Sequence, residues 1–149
     1  MFTGSVCTRQ VHTCEANTSL VKVAELMRNE NVGDLVVVEY RSGDPIPIGI
    51  ITDRDLVINA IALKLDPAKI TVKDIPTKKL ITAYEGEQLE VAMERMCWSG
   101  IRRVPLVDSA GVLIGIVTLD DIVEKLAMTL AKVSHVSQIQ SVEKRSNLT

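Results

Sequence analysis

The sequence contains two copies of one unit, and this internal repeat limits the possible folds more than any other feature. Residues 6–38 align without a gap on residues 75–107, at a constant offset of 69 residues. After a loop that is three residues longer in the first copy, residues 48–57 align on residues 114–123, and six of these ten positions are identical. Because two copies nearly fill a chain of 149 residues, we expect two similar units packed on each other.

Each copy has the apolar spacing of a β-α-β-β-α unit. The first helix of copy one follows the capping-type stretch 17–19, and its apolar stripe is Leu20, Val23, Ala24 and Met27. Two short apolar runs with turn residues between them follow in each copy, which predicts a hairpin. We therefore expect an α/β (α+β) fold in which two pseudo-symmetric β-α-β-β-α repeats pack as one compact module with a C-terminal helix.

The repeat also predicts the domain boundaries. We expect a first domain at residues 5–64, a linker at 65–74, a second domain at 75–128 and a C-terminal helix extension and tail at 129–149. The last helix is expected to run from about Leu119 towards Gln138, and residues 143–149 are expected to fray. Its apolar stripe continues beyond the second copy and predicts a homodimer contact; the stripe is Ile122, Val123, Leu126, Leu130, Val133 and Val136.

Composition excludes several classes of protein. Seventeen basic and nineteen acidic residues leave a net charge of -2, and aromatic residues make up only 3%, which argues against nucleic-acid binding. No apolar run approaches the about 20 residues of a membrane span, and the N-terminus lacks a signal-peptide pattern. Three cysteines without a disulfide spacing suit the reducing cytoplasm, and Cys7, His12 and Cys14 lack the fourth ligand of a metal site. No catalytic constellation is present, so we expect no enzyme.

A spacing of glycine, two apolar residues, threonine, two residues and aspartate occurs where a strand meets a helix in each copy. It comprises Gly49, Thr52 and Asp55 in copy one, and Gly115, Thr118 and Asp121 in copy two. A structural interpretation is a helix capping box, which stabilises the helix without any ligand. A functional interpretation is a nucleotide site, in which the aspartate accepts hydrogen bonds from a ribose diol and the threonine and backbone donors hold phosphate. The two interpretations are compatible.

These doubled motifs resemble those of cystathionine-β-synthase (CBS) domains, which occur as intramolecular pairs. The resemblance rests on the two motifs, the order of elements and the stretch Gly100-Ile101-Arg102-Arg103-Val104-Pro105-Leu106-Val107-Asp108. It implies two clefts, related by a pseudo-two-fold axis, that hold AMP, ADP, ATP or a related adenosyl ligand. It also implies dimers of such pairs.

The resemblance assigns a role to particular residues. It implies that Asp55 and Asp121 bind ribose hydroxyls, and that Thr52 and Thr118 bind ribose or phosphate. The cleft that contains Asp55 would also be lined by Thr82, Ala83, Ile101, Arg102 and Arg103. The cleft that contains Asp121 would also be lined by Thr13, Cys14, Val32, Gly33 and Asp34.

The two clefts are expected to differ in charge. Arg102 and Arg103 of copy two align with Gly33 and Asp34 of copy one. With Arg54, the two arginines would place cations in the Asp55 cleft, and guanidinium groups suit phosphate oxygens. We therefore expect phosphate to favour the Asp55 cleft over the Asp121 cleft.

The function expected from these observations is that of a non-catalytic regulatory module. It would bind an adenine nucleotide, require no cofactor and signal energy or metabolite state to an unidentified effector protein. The alternative is a ligand-free oligomerisation or scaffold module, in which the threonine and aspartate pairs only cap helices. Nucleotide that remains with the purified protein would separate the two.

Overall fold

The computed structural model describes residues 1–146, with side chains described for residues 1–140. The chain forms two repeats with the same order of elements. The first repeat comprises β1 (Thr13–Glu15), α1 (Leu20–Glu30), β2 (Asp34–Arg41), β3 (Asp44–Thr52) and α2 (Asp53–Leu56), which continues into a π-helical turn (Val57–Ile61). The second comprises β4 (Ala83–Tyr84), α3 (Leu89–Ser99), β5 (Arg103–Val107), β6 (Leu113–Thr118) and α4 (Leu119–Ser146).

Each repeat contains a three-stranded mixed sheet. The strand orders are β1-β2-β3 and β4-β5-β6, with the first pair parallel and the second antiparallel in both sheets. Asp34 lies opposite Thr52 in the first hairpin, and Arg103 lies opposite Thr118 in the second. This architecture confirms the predicted α+β fold of two pseudo-symmetric repeats.

The first helix of each repeat forms where the sequence predicts it, because its caps and its apolar stripe agree. The Ser19 side chain accepts a hydrogen bond from the Lys22 amide at 3.3 Å and caps α1. The helix ends at Asn31, which adopts the left-handed conformation, and α3 ends the same way at Gly100. Leu20, Val23 and Met27 of the predicted stripe are buried in the core, where each fully buried side chain contributes about 1.5–3 kcal/mol. Ala24, the fourth residue of the predicted stripe, is exposed.

The segment that precedes each repeat packs into the core of the other repeat. A 3₁₀ turn at Thr3–Ser5 belongs to the N-terminal arm (residues 1–8), which packs against the second core. A second 3₁₀ turn at Val72–Asp74 contributes Val72 to the first core, together with Ile75. Each core therefore contains side chains from a segment that lies outside the helices and sheet of its own repeat. These contacts stabilise the association of the two repeats.

The two sheets also contact each other directly. Val36 and Val38 of β2 form a small buried cluster with Ile116 of β6. Burial of these side chains between the sheets stabilises the arrangement of the two repeats.

The C-terminal helix is longer than predicted. Helix α4 runs for 28 residues, well past the expected end near Gln138, and its axis is about 42 Å long. Ile122 is only 1% exposed and packs in the second core, so it does not belong to the exposed stripe in which the sequence placed it. The last residues of the predicted frayed tail, 147–149, lie outside the described residues.

No helix in the described part of the chain is long and apolar enough to cross a membrane.

Candidate functional site

Both repeated motifs form helix capping boxes. The Thr52 hydroxyl accepts a hydrogen bond from the Asp55 amide at 3.2 Å, and the Thr52 amide donates to Asp55 Oδ2 at 2.8 Å. Thr118 and Asp121 make the same contacts at 3.1 and 3.0 Å. The structural interpretation of the motif is therefore correct, since the box is complete without a ligand.

The capping box leaves part of each carboxylate available. Asp55 Oδ2 accepts hydrogen bonds from both the amide and the hydroxyl of Thr52. Among the described residues, Asp55 Oδ1 accepts none. Capping thus orients the carboxylate and keeps one oxygen for another donor, so the two interpretations of the motif are compatible in three dimensions.

A cleft of about 510 Å³ opens beside Asp55, between the two repeats. This volume is in the range of small-molecule sites. The structure brings together around it six residues that the sequence assigned to this cleft: Thr52, Arg54, Asp55, Ile101, Arg102 and Arg103. The other lining residues are Ile50, Ile58, Asn59, Pro76, Thr77, Lys78, Lys79, Leu80, Ile81 and Gly100.

Thr82 and Ala83, which the sequence placed in this cleft, lie outside its lining. Ala83 pairs with Leu106 in the sheet and is fully buried in the second core. The Thr82 carbonyl accepts a hydrogen bond from Arg95 at 2.9 Å. The connection crosses the cleft before it joins the sheet, so residues 76–81 form the wall instead.

Two lysines that the sequence interpretation missed lie in this wall. Lys78 and Lys79 bring the basic lining side chains to five, with Arg54, Arg102 and Arg103, against the single acid Asp55. Their adjacency in the sequence was the only available signal. In the described part of the chain, Arg54, Lys78 and Lys79 make no ion pair, and these cations give the cleft a positive potential that favours anions.

The two cleft arginines pair with acids. Arg102 Nη2 lies 3.3 Å from Asp120 Oδ1 in an exposed pair. Arg103 Nη1 pairs with Asp34 Oδ2, which belongs to the first repeat. Burial lowers the pKa of Arg103 and the Asp120 charge acts in the opposite direction, but an arginine stays charged at neutral pH.

The surroundings of Asp121 differ from those of Asp55. Thr8 of the N-terminal arm pairs with Ile116 through two hydrogen bonds of 2.9 Å. A Cβ atom at Gly115 would lie 3.0 Å from the Thr8 carbonyl oxygen and 3.2 Å from Cys7 Sγ, whereas at the equivalent Gly49 the nearest atom is 3.8 Å away. The arm thus packs closely against Gly115 of the second motif, whereas Gly49 of the first motif is buried beside Val37 with room for a Cβ atom.

The other residues predicted near Asp121 are divided between two environments. Thr13 and Cys14 lie in β1, and Cys14 belongs to the first core, against which Val32 packs. Gly33 lies beside the Asp53 carboxylate, and Asp34 pairs with Arg103. The Cys14 side chain is buried in the first core together with side chains of α1.

Burial of Cys14 has a measurable consequence at alkaline pH. Burial, with a smaller effect of Glu15, raises the pKa of the Cys14 thiol to about 11, above the about 8.5 of a free thiol. The unfolded chain therefore loses this proton first, so stability is complete below about pH 8.5 and falls as the pH rises towards 11. We expect a loss of up to about 3 kcal/mol, measured by urea unfolding at several pH values. In Cys14→Ala we expect this loss of stability at alkaline pH to disappear. An equal loss in that variant would show that the Cys14 thiol is not its cause.

The family comparison agrees with the repeated architecture. The CBS domain family matches residues 4–60 and again residues 72–128. The CBS domain pair of protein MJ0100, solved in complex with 5'-methylthioadenosine and S-adenosyl-L-methionine, superimposes with a TM-score of 0.73 at 27% identity and covers 87% of this chain and 98% of its own.

Sequence relatives give the same family. The CBS domain-containing protein YhcV of Bacillus subtilis is 32% identical over 134 residues, which cover 86% of this chain and 91% of that protein. An uncharacterised protein of Methanopyrus kandleri is 39% identical over 121 residues, or 81% of this chain, and the match spans 60% of its length. With both repeats matched in the order and register that the fold displays, this chain belongs to the CBS domain family and carries a pair of CBS domains.

Proposed function

We propose that this CBS domain pair is a non-catalytic regulatory module that binds an adenine nucleotide in the Asp55 cleft. The observation that carries the proposal is the composition of that cleft. It combines apolar side chains, one carboxylate with an available oxygen, and five basic side chains. These are the three kinds of surface that a base, a ribose and a phosphate chain require.

Each part of the nucleotide has a candidate partner. The adenine would pack against the isoleucine and leucine side chains of the lining. The ribose hydroxyls would donate to Asp55 Oδ1, whose orientation the capping box holds. The phosphates would lie near Lys78, Lys79 and Arg54.

The charge of the cleft favours a phosphorylated ligand. The related pair of MJ0100 is in complex with 5'-methylthioadenosine and with S-adenosyl-L-methionine, which supports adenosyl recognition in this family. The sulfonium of S-adenosyl-L-methionine is a cation, and Arg54, Lys78 and Lys79, the lining cations without an ion pair in the described part of the chain, would repel it. AMP, ADP or ATP is therefore the proposed ligand, and ADP or ATP would engage more of the cations.

A titration panel tests this function. We expect at least one of AMP, ADP and ATP to bind with a dissociation constant in about the micromolar range, near -8 kcal/mol, and to raise the melting temperature with occupancy. S-adenosyl-L-methionine and NAD complete the calorimetric panel. The absence of any shift with every adenosyl ligand at about millimolar concentration would refute the proposed function.

A scaffold module is the second candidate, because α4 presents an exposed apolar stripe and the capping boxes need no ligand. We propose that the chain forms a homodimer through this stripe, alongside nucleotide binding.

The three free cysteines suit the reducing cytoplasm, where an effector protein would bind according to whether the nucleotide is present. A dimer that binds no nucleotide would favour the scaffold over the sensor.

A further inference from the structure

An ion pair joins equivalent positions of the two repeats. Asp34 is the first residue of β2 and Arg103 is the first residue of β5, and the repeat offset of 69 residues relates them. Their side chains pair with each other, and only 19% of Asp34 and 30% of Arg103 is exposed. The pair therefore lies where the two repeats meet, near their local two-fold axis.

This pair connects the Asp55 cleft to a residue outside its lining. Arg103 lines the cleft, whereas Asp34, which pairs with Arg103 Nη1, is absent from the lining. Asp34 also lies opposite Thr52 across the β2–β3 ladder, one strand from the capping box. A cation that faces the cleft is thus already held by a carboxylate of the protein.

A carboxylate and a phosphate compete for the same N–H donors of a guanidinium. Both bind through paired oxygens in the plane of the group, so a phosphate that binds Arg103 must share it with Asp34 or displace Asp34. Because the pair is largely shielded from water, it is screened less than an exposed pair. Lys78 and Lys79 make no ion pair in the part of the chain described, so no carboxylate there competes with a phosphate for them.

We infer that Asp34 is an internal competitor of the ligand's phosphate for Arg103, and that it sets the phosphate affinity of the Asp55 cleft. This inference rests on the proposed function. It makes Asp34 a specificity-determining residue that acts through Arg103 and does not itself touch the ligand. Its effect is confined to the phosphate part of the ligand.

Calorimetric titrations of ATP and of adenosine into matched variants test the inference. Asp34→Asn keeps the size of the side chain and removes its charge, so we expect ATP to bind about threefold to tenfold more tightly, and adenosine to bind as it does to the unchanged protein. In an Arg103→Ala background, Asp34→Asn is expected to change ATP affinity by less than about twofold. Asp34→Ala is the second variant, and melting curves show that each variant is folded.

Asp44→Asn is the control, because it makes the same change of charge at the exposed far end of the β2–β3 hairpin. An equal gain in Asp44→Asn would assign the effect to net charge. An equal gain for adenosine would assign it to the shape of the cleft, and a gain that persists without Arg103 would assign it to another cation. Each of these results, or an unchanged ATP affinity in both Asp34 variants, would overturn the inference.

Titration of inorganic tripolyphosphate separates this inference from the proposed function. If the unchanged protein binds tripolyphosphate but no adenine nucleotide, and Asp34→Asn strengthens that binding only when Arg103 is present, the proposed function fails and the competition stands. If nucleotide binds and the Asp34 variants behave like the unchanged protein, the competition fails alone. If neither ATP nor tripolyphosphate binds, both fail.

Discussion

Replacing Asp55 by alanine is expected to weaken ATP and ADP binding about tenfold or more, because it removes the cleft carboxylate whose Oδ1 accepts no hydrogen bond from the described residues. A hydrogen bond to a charged group contributes about 1.5–3 kcal/mol, which corresponds to at least a tenfold change in affinity. Arg103→Ala is expected to weaken binding in the same direction, since it removes a cation from the cleft wall. Isothermal titration calorimetry of the folded variants measures both effects.

Loss of the capping box complicates the Asp55 substitution, and the chain contains a matched control. Thr71 and Asp74 form a third box, in which the Thr71 amide and hydroxyl donate to Asp74 Oδ2 at 2.8 and 2.9 Å. Asp74 lies outside the lining of the Asp55 cleft. Asp74→Ala therefore removes this box and one negative charge without removing a cleft residue.

The second-repeat variant Asp121→Ala ranks the two clefts. Its carboxylate makes the same box, but the N-terminal arm packs against the adjacent glycine. The structure moves Asp34 and Asp120, which the sequence placed beside Asp121, onto Arg103 and Arg102 of the Asp55 cleft. We expect Asp121→Ala to change ATP affinity less than Asp55→Ala does. Loss of ATP binding in Asp121→Ala, with normal binding in a folded Asp55→Ala protein, would reverse the ranking.

Substituting glutamate for Leu130 is expected to convert a homodimer into a monomer. Leu130 is 71% exposed on α4, and the exposed apolar side chains at Leu119, Val123, Leu126, Leu130 and Val133 are spaced alternately by four and three residues. That spacing forms one seam along a helix and is typical of helix pairs packed by knobs into holes. A buried glutamate on such a seam would lose its hydration without a partner.

Met128→Glu is the matched control for this prediction. Met128 is also exposed and apolar, at 54%, but two residues along a helix place it about 200° from Leu130. We expect light scattering at about 100 micromolar, where an interface of ordinary size forms, to give a dimer for the unchanged protein and for Met128→Glu, and a monomer for Leu130→Glu. A monomeric unchanged protein, or equal dissociation of both variants, would remove the seam as the interface.

Local patterns in the sequence were sufficient for the repeats and their elements. The stripe that begins at Leu20 recurs at Leu89, and both predicted a helix that the fold contains, because side-chain spacing and capping act within a few residues. The same local character explains the capping boxes at Thr52 and Thr118. A capping box does not by itself predict a binding site, since Thr71 and Asp74 form a box outside the lining of the Asp55 cleft.

Tertiary structure decided which residues meet across the repeats. Residues 76–81 line the cleft, and Thr82 and Ala83 do not, because the segment before β4 crosses between the repeats. The local spacing of residues in the sequence does not indicate that crossing. The charge difference between Arg103 and Asp34 was visible in the sequence as a contrast between aligned positions. The packing of the two repeats brings these equivalent positions into contact, because residues near a local two-fold axis lie opposite each other. Their opposite charges then attract and form the ion pair.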